Sequence, residues 1–127
     1  MTGVPVPGEA VAVRWYGPAG PLVAVLHGGP GAPGEMAPLA RALAARGYRV
    51  LEPLQRRSGG PSLTVARHVA DLDEVLPPGV ALVGWSWGAM LGLSFAAAHP
   101  ERVRCLALVG CGTYAESSRA AYRVAVD

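Results

Sequence analysis

Residues 80–88, VALVGWSWG, decide how this chain is read. Residues 80–83 form a short apolar run, partly β-branched, of the length of a buried strand. A helix is read over 87–98: residues 89–98 favour it apart from Gly92, and the pattern stops at His99-Pro100. Between them, Gly84-x-Ser86-x-Gly88 has the spacing of a strand–elbow–helix turn with serine at its apex. Such a bend needs small residues two positions either side, because strand and helix pass close together there. The start of the helix offers free N–H groups and a positive dipole end beside the serine. The pattern therefore predicts Ser86 as a nucleophile, with Gly84 and Gly88 supporting the elbow.

At 127 residues the chain makes one domain at most, 1–127, large enough for a real core. A hydrophobic content of 51% excludes a disordered chain. The net charge is +2 with the positives spread out, which argues against a nucleic-acid partner. All 11 basic residues are Arg; nothing in the sequence explains the missing Lys. Residues 75–100 lack the charges Asp, Glu, Lys and Arg, and Gly84, Gly88 and Gly92 form a small-residue ladder. A membrane helix is the rival reading, but Pro77-Pro78-Gly79 cuts the run to barely spanning length. The ladder has a second explanation: two glycines clear the elbow, and Gly92 lets the helix approach the sheet. The first ten residues, MTGVPVPGEA, carry no signal-peptide pattern. Cys105 and Cys111 are expected in one strand about 20 Å apart, too far for a disulfide. Two buried, reduced thiols fit a cytoplasmic protein.

Outward from the elbow, residues 11–16 read as a first strand and 22–27 as a second, joined as a hairpin across a short Gly-Pro turn. Residues 28–34 form a glycine–proline loop. Residues 35–46 are helical, with Met36, Leu39, Ala40 and Leu43 on one face and Gly47 as the stop. Residues 48–53 are a strand and 55–61 a polar loop. Ser62 or Thr64 caps a helix reaching Leu76, with Val65, Val69, Leu72 and Leu76 facing the core. Asp71, Asp73 and Glu74 are expected on its solvated face, and His68 in solvent or at an interface. Residues 103–109 are the last strand, and 115–127 are weakly amphipathic. From residue 21 on, strands alternate with helices, the pattern of an α/β protein with a mostly parallel sheet and flanking helices. Sites in such sheets lie beyond the carboxyl ends of the strands, where His27 and Ser86 both fall.

The loop His27-Gly28-Gly29-Pro30-Gly31 admits two readings. Gly29-x-Gly31-x-x-Gly34, with Glu52 closing the next strand, has the spacing of a dinucleotide fingerprint. Against it, Pro30 and Pro33 remove N–H donors from the loop that would cradle a pyrophosphate, and Ser86 is left unexplained. The other reading joins both motifs. An oxyanion hole needs two backbone N–H groups aimed at one point. Trp87 supplies one, and Gly29 or Gly28 the other.

At this pair of motifs the chain resembles the α/β-hydrolase superfamily. HGGPG combined with G-x-S-W-G looks most like its proline iminopeptidase branch. That branch carries D-Q-R-G-x-G-x-S after a later strand; here Gln55, Arg56, Ser58 and Gly59 match, while Leu54 and Arg57 depart from the pattern. The resemblance implies that Ser86 attacks an amide or ester carbonyl of a small-molecule or peptide substrate. Trp87 and Gly29 hold the oxyanion, and His27 orders the loop. Trp85 and Trp87 either line the substrate pocket or simply pack. No metal or cofactor is implied.

A serine nucleophile needs a base, and the base an orienting acid. The family places both after the elbow, acid before histidine. Here no His follows His99, and His99 is expected to stabilise a helix end. The expectation is an amino-terminal half of the fold, lacking the last strands and lid. It would be either incomplete as an enzyme, completed by a second chain, or a non-catalytic remnant. The strand 103–109 would then be an apolar unpaired edge, prone to self-association.

Overall fold

The computed structural model describes residues 10–29, 34–56 and 64–111. Its elements are β1 (Val13–Tyr16), β2 (Leu22–Leu26), α1 (Ala37–Ala45), β3 (Arg49–Pro53), α2 (Val65–Val75), β4 (Val80–Trp85), α3 (Trp87–Ala98), a 3₁₀ turn (Pro100–Arg102) and β5 (Val103–Val109). The residues expected to form the tips of two loops, 30–33 and 57–63, and the tail 115–127 lie outside the described residues. Ser62, Ser58, Gly59 and Arg57 fall there, so Thr64 is the observed cap: its hydroxyl accepts the Arg67 N–H at 3.1 Å.

The five strands form one sheet in the order β1-β3-β2-β4-β5. β3, β2, β4 and β5 run parallel, and β1 is antiparallel to β3. Side chains alternate across this sheet with the two-residue period of a strand. Ala24 and Leu26 of β2 and Val80 and Leu82 of β4 meet Leu72, Leu91 and Phe95 of α2 and α3 on one face. Val23 and Val25 of β2 and Ala81 of β4 meet Met36 and Ala40 of the α1 segment on the other. Cover on both faces explains why the central strands are apolar runs.

The expected β1–β2 hairpin is not formed. β3 lies between the two strands, with Val13 opposite Pro53 and Tyr16 opposite Val50. The reason lies in burial. Residues 50–53 of β3 are all buried and need cover on both edges, whereas β1 exposes its central residues and suits an edge. The turn at 17–21 is fastened to the turn before β3 instead. Arg49 N–H donates to the Pro21 carbonyl at 3.0 Å, and a Cβ on Gly20 would lie 1.9 Å from the Gly47 carbonyl oxygen.

Two side-chain expectations also change. Leu39 and Val65 are exposed rather than core, since each sits at the outer margin of its helix stripe. Cys105 is exposed and Cys111 half-buried beyond the end of β5, both as free thiols. Cys105 lies opposite Ala81 on the α1 face, on the edge strand β5, whereas α1 packs chiefly over β3 and β1. The membrane reading is replaced by a 12-residue helix, α3, docked on the sheet. No described helix is long and apolar enough to cross a membrane. Gly92 does lie at the close approach: an added Cβ would come 3.3 Å from Leu106 and 3.4 Å from Leu26 side-chain atoms.

This topology positions the site. The chain leaves β2 for β3 on one side, then returns across the sheet to β4 on the other. The carboxyl ends of β2 and β4 therefore flank the point where strand order reverses, which is where open α/β sheets bind ligands.

Candidate active site

Ser86 joins β4 to α3 with φ 54° and ψ −116°. Among the described residues it is the one non-glycine residue with positive φ. These angles belong to the first central position of a II′ turn, which glycine ordinarily fills. Strain of this kind costs on the order of 1–3 kcal/mol and persists only where surrounding contacts impose it. The contacts are visible. Ser86 N–H donates to the Val109 carbonyl at 2.9 Å, and its own carbonyl accepts the Ala89 N–H at 3.0 Å. The hydroxyl makes no cap hydrogen bond, the residue is exposed, and among the described residues no hydrogen bond takes up the oxygen.

The two elbow glycines are sterically required. A Cβ on Gly84 would stand 2.4 Å from the Gly88 carbonyl oxygen and 2.6 Å from the Ala89 backbone. A Cβ on Gly88 would stand 2.1 Å from the Leu26 carbonyl oxygen and 2.7 Å from that of His27. The second pair joins α3 directly to the end of β2. The loop after β2 returns the contact, since a Cβ on Gly28 would lie 3.4 Å from the Trp85 carbonyl oxygen. The two glycine bends thus meet at adjacent strand ends.

Inside the loop, the two candidate donors separate. Gly28 N–H donates to the Glu35 carboxylate. Gly29 has φ 113° and is exposed. Among the described residues, no hydrogen bond takes up its N–H or that of Trp87, which is the first residue of α3 and has no intrahelical acceptor. Glu52, fully buried, accepts the Gly34 N–H at 3.0 Å. Two carboxylates so placed oppose a bound pyrophosphate, which weighs against the dinucleotide reading.

His27 is buried, and both ring nitrogens are engaged. Nε2 accepts the Gln55 backbone N–H at 3.0 Å, which leaves the proton on Nδ1, donated to the Gly28 carbonyl at 2.8 Å. The ring thus ties the start of the loop after β2 to Gln55, which follows β3 and Leu54. His99 closes α3 at the opposite end of the sheet, against the Phe95 ring. His68 is buried rather than solvated, its ring edge-on to Trp87 at 5.7 Å between centroids. Burial lowers its pKa below the ordinary 6.5, the nearby Asp71 charge pulls the other way, and His27 and Arg56 add to the lowering.

Asp71, expected on a wet face, is also buried. Arg56 holds it through two hydrogen bonds, at 2.7 and 3.1 Å, and Arg67 approaches at 3.3 Å. The periodicity of α2 cannot show this, because the partner comes from the loop after β3. Trp85 and Trp87 diverge. Trp87 is half-buried, and its indole Nε1–H donates to Gln55 Oε1 at 2.8 Å. Trp85 is 44% exposed and lies beside Gly28 and Gly110 at the carboxyl end of β4. Sequence reasoning did not assign functions to Gln55, Glu35 or His68; the Gln-Arg match at 55–56 was the one signal pointing to that loop.

The family described as alpha/beta hydrolase fold matches residues 21–125. A pimeloyl-[acyl-carrier protein] methyl ester esterase of Chromobacterium violaceum is 39% identical over 93 residues, which cover 71% of this chain and 37% of the esterase. The thioesterase domain from the curacin biosynthetic pathway superposes with TM-score 0.68 at 29% identity, covering 89% of this chain and 46% of that one. A putative non-heme bromoperoxidase, BpoC of Mycobacterium tuberculosis, superposes with TM-score 0.75 at 24% identity, covering 93% and 47%, and shows the likeness of fold alone. The chain thus spans less than half the length of each of these three relatives.

Two outcomes follow from the geometry. Gly88→Ala should abolish the folded state, a loss beyond about 4 kcal/mol, because its methyl meets backbone that cannot yield. Gly92→Ala should stay within about 1 kcal/mol of the parent, since it meets only side-chain ends; urea denaturation of both variants checks this. His68 should make stability depend on pH. The unfolded chain binds the proton more readily than the folded one, so stability holds above pH 6.5 and falls as pH drops below it toward the lowered folded value. Denaturation at about pH 7 and 5.5 should show that loss, and His68→Gln should shrink it.

Proposed function

Given that the chain belongs to the alpha/beta hydrolase fold family, we propose that it forms the nucleophile-bearing part of a serine hydrolase. The observation that carries the reading is the positive-φ Ser86, its hydroxyl unused, on a bend wedged against the loop after β2. Ser86 Oγ attacks a carbonyl carbon, and the oxygen that becomes negative is held by the N–H groups of Trp87 and Gly29. Electrostatic help of this kind is worth about 3–4 kcal/mol per donor. Gly28, the alternative donor, is engaged by Glu35. Collapse of this adduct breaks the bond to the alcohol, thiol or amine, which leaves carrying a proton. Water then cleaves the acyl–Ser86 ester to give the free acid and regenerate the hydroxyl. Trp85 flanks the acyl or leaving group at the mouth. A carboxylic ester or thioester is favoured as substrate, in keeping with the esterase and thioesterase relatives. The N-terminal-proline amide rests on the HGGPG and GWSWG stretches alone. An exposed free thiol at Cys105 suits a reducing, cytoplasmic setting.

A second reading is favoured by the histidines. Attack by Ser86 requires a base for its proton, and none of the described His residues is placed to take it: His27 is doubly bonded, His68 faces Trp87, and His99 sits at the far end. We therefore infer that the acid and base come from a segment or chain that completes the sheet along β5. That strand is half-buried at only Val103 and Leu106, leaves Leu108 and Val109 exposed, and pairs with β4 alone among the described strands.

A fluorophosphonate probe tests both readings. Ser86 should be labelled when the completing segment is present and should stay unlabelled in the 127-residue chain alone. Ser86→Ala should abolish labelling; label that persists in that variant would overturn the assignment. Sedimentation of the chain alone should show concentration-dependent association, relieved by charged residues at Leu108 and Val109, whereas a clean monomer would count against the open edge.

A further inference from the structure

The proposed site needs two N–H groups, on Gly29 and Trp87, held at a fixed separation, yet they belong to different strand ends. One side chain spans the gap. Gln55 follows β3 and is buried, and its amide binds both sides at once: Nε2 donates to the His27 carbonyl at 2.8 Å, and Oε1 accepts the Trp87 indole N–H at 2.8 Å. Its backbone N–H meets His27 Nε2 at 3.0 Å. The amide cannot be turned over. An indole nitrogen only donates and a carbonyl only accepts, so oxygen must face Trp87 and nitrogen must face His27. A buried carboxamide joining one donor to one acceptor is a requirement that Glu, Met or Leu at this place meets by half or not at all.

We propose that Gln55 is a positioning residue that locks the elbow to the oxyanion loop and so sets the separation of the Trp87 and Gly29 N–H groups. The functional meaning rests on the hydrolase reading above; the lock itself does not. His27 carries the constraint one residue further, through its Nδ1–H to the Gly28 carbonyl. His68 backs the Trp87 ring from the other side.

Nitrogen-15 NMR of the full chain, with Gln55→Ala and Gln55→Glu, tests the lock without any catalytic readout. In the parent, the Trp87 indole N–H should exchange about tenfold or more slowly than those of exposed Trp15 and Trp85, roughly the protection one buried hydrogen bond supplies. Gln55→Glu keeps the acceptor and loses the donor. It should retain slow indole exchange at Trp87 while shifting the Gly28 and Gly29 amide resonances. Gln55→Ala should release both ends, with the Leu82 amide of β4 still protected. Should Gln55→Ala fail to fold, the split behaviour of Gln55→Glu decides alone. The proposal is overturned if indole exchange at Trp87 is fast in the parent, or if the variants leave Trp87 and Gly29 unchanged. Loss of Leu82 protection in step with the rest would also overturn it. Failure of Ser86 labelling even with the completing segment present, while the lock is intact, would sink the hydrolase reading and not this one.

Discussion

The structure depends on one close approach of backbone to backbone: the first turn of α3 against the carboxyl end of β2. Gly88 sits where any side chain would meet the Leu26 carbonyl oxygen at 2.1 Å. With that contact made, β4 cannot run straight on into its helix, and the residue between must take positive φ. Ser86 takes it, at φ 54°. The cost is local and small beside the burial it permits, since α3 can then lay Leu91 and Phe95 on the sheet.

Beneath the two bends lies a buried polar layer rather than a hydrophobic one. Gln55, His27 and Trp87 form one part of it, and Arg56 with Asp71 the other. The two are joined in sequence by consecutive residues of the loop after β3 and in space by His68, which touches Trp87 and feels Asp71 and Arg56. A carboxylate removed from water is costly unless paired and hydrogen-bonded, and Asp71 has both kinds of partner. The residues matching the Q-R pair thus belong to this layer, Gln55 bonded to His27 and Trp87 and Arg56 to Asp71.

The carboxylates around the loop after β2 give it a definite polarity. Glu35 takes the Gly28 N–H, and Glu52 takes that of Gly34, so the described ends of the loop are held by acids. Among the described residues, no hydrogen bond takes up the N–H groups of Gly29 and Trp87, at the neighbouring strand ends.

The order of strands and helices after residue 21, the elbow at Ser86 and the strand-end position of His27 were legible in the sequence. Each follows from local rules: the period of apolar residues, the small residues a bend needs, and the residues that stop a helix. The tertiary structure alone decided what depends on distant partners. It put β3 between β1 and β2, because β3 needed cover on both edges. It buried Asp71 and His68 on a helix face that looks polar, because Arg56 and Trp87 arrive there from other elements. It exposed Cys105 on the edge strand β5, because on that face α1 covers chiefly β3 and β1. It assigned Gly28 to Glu35, and Gln55 to a bridge across strand ends. A chain's own periodicity states which face of an element is apolar; which polar group from elsewhere will meet a buried donor or acceptor is fixed only when the elements are packed.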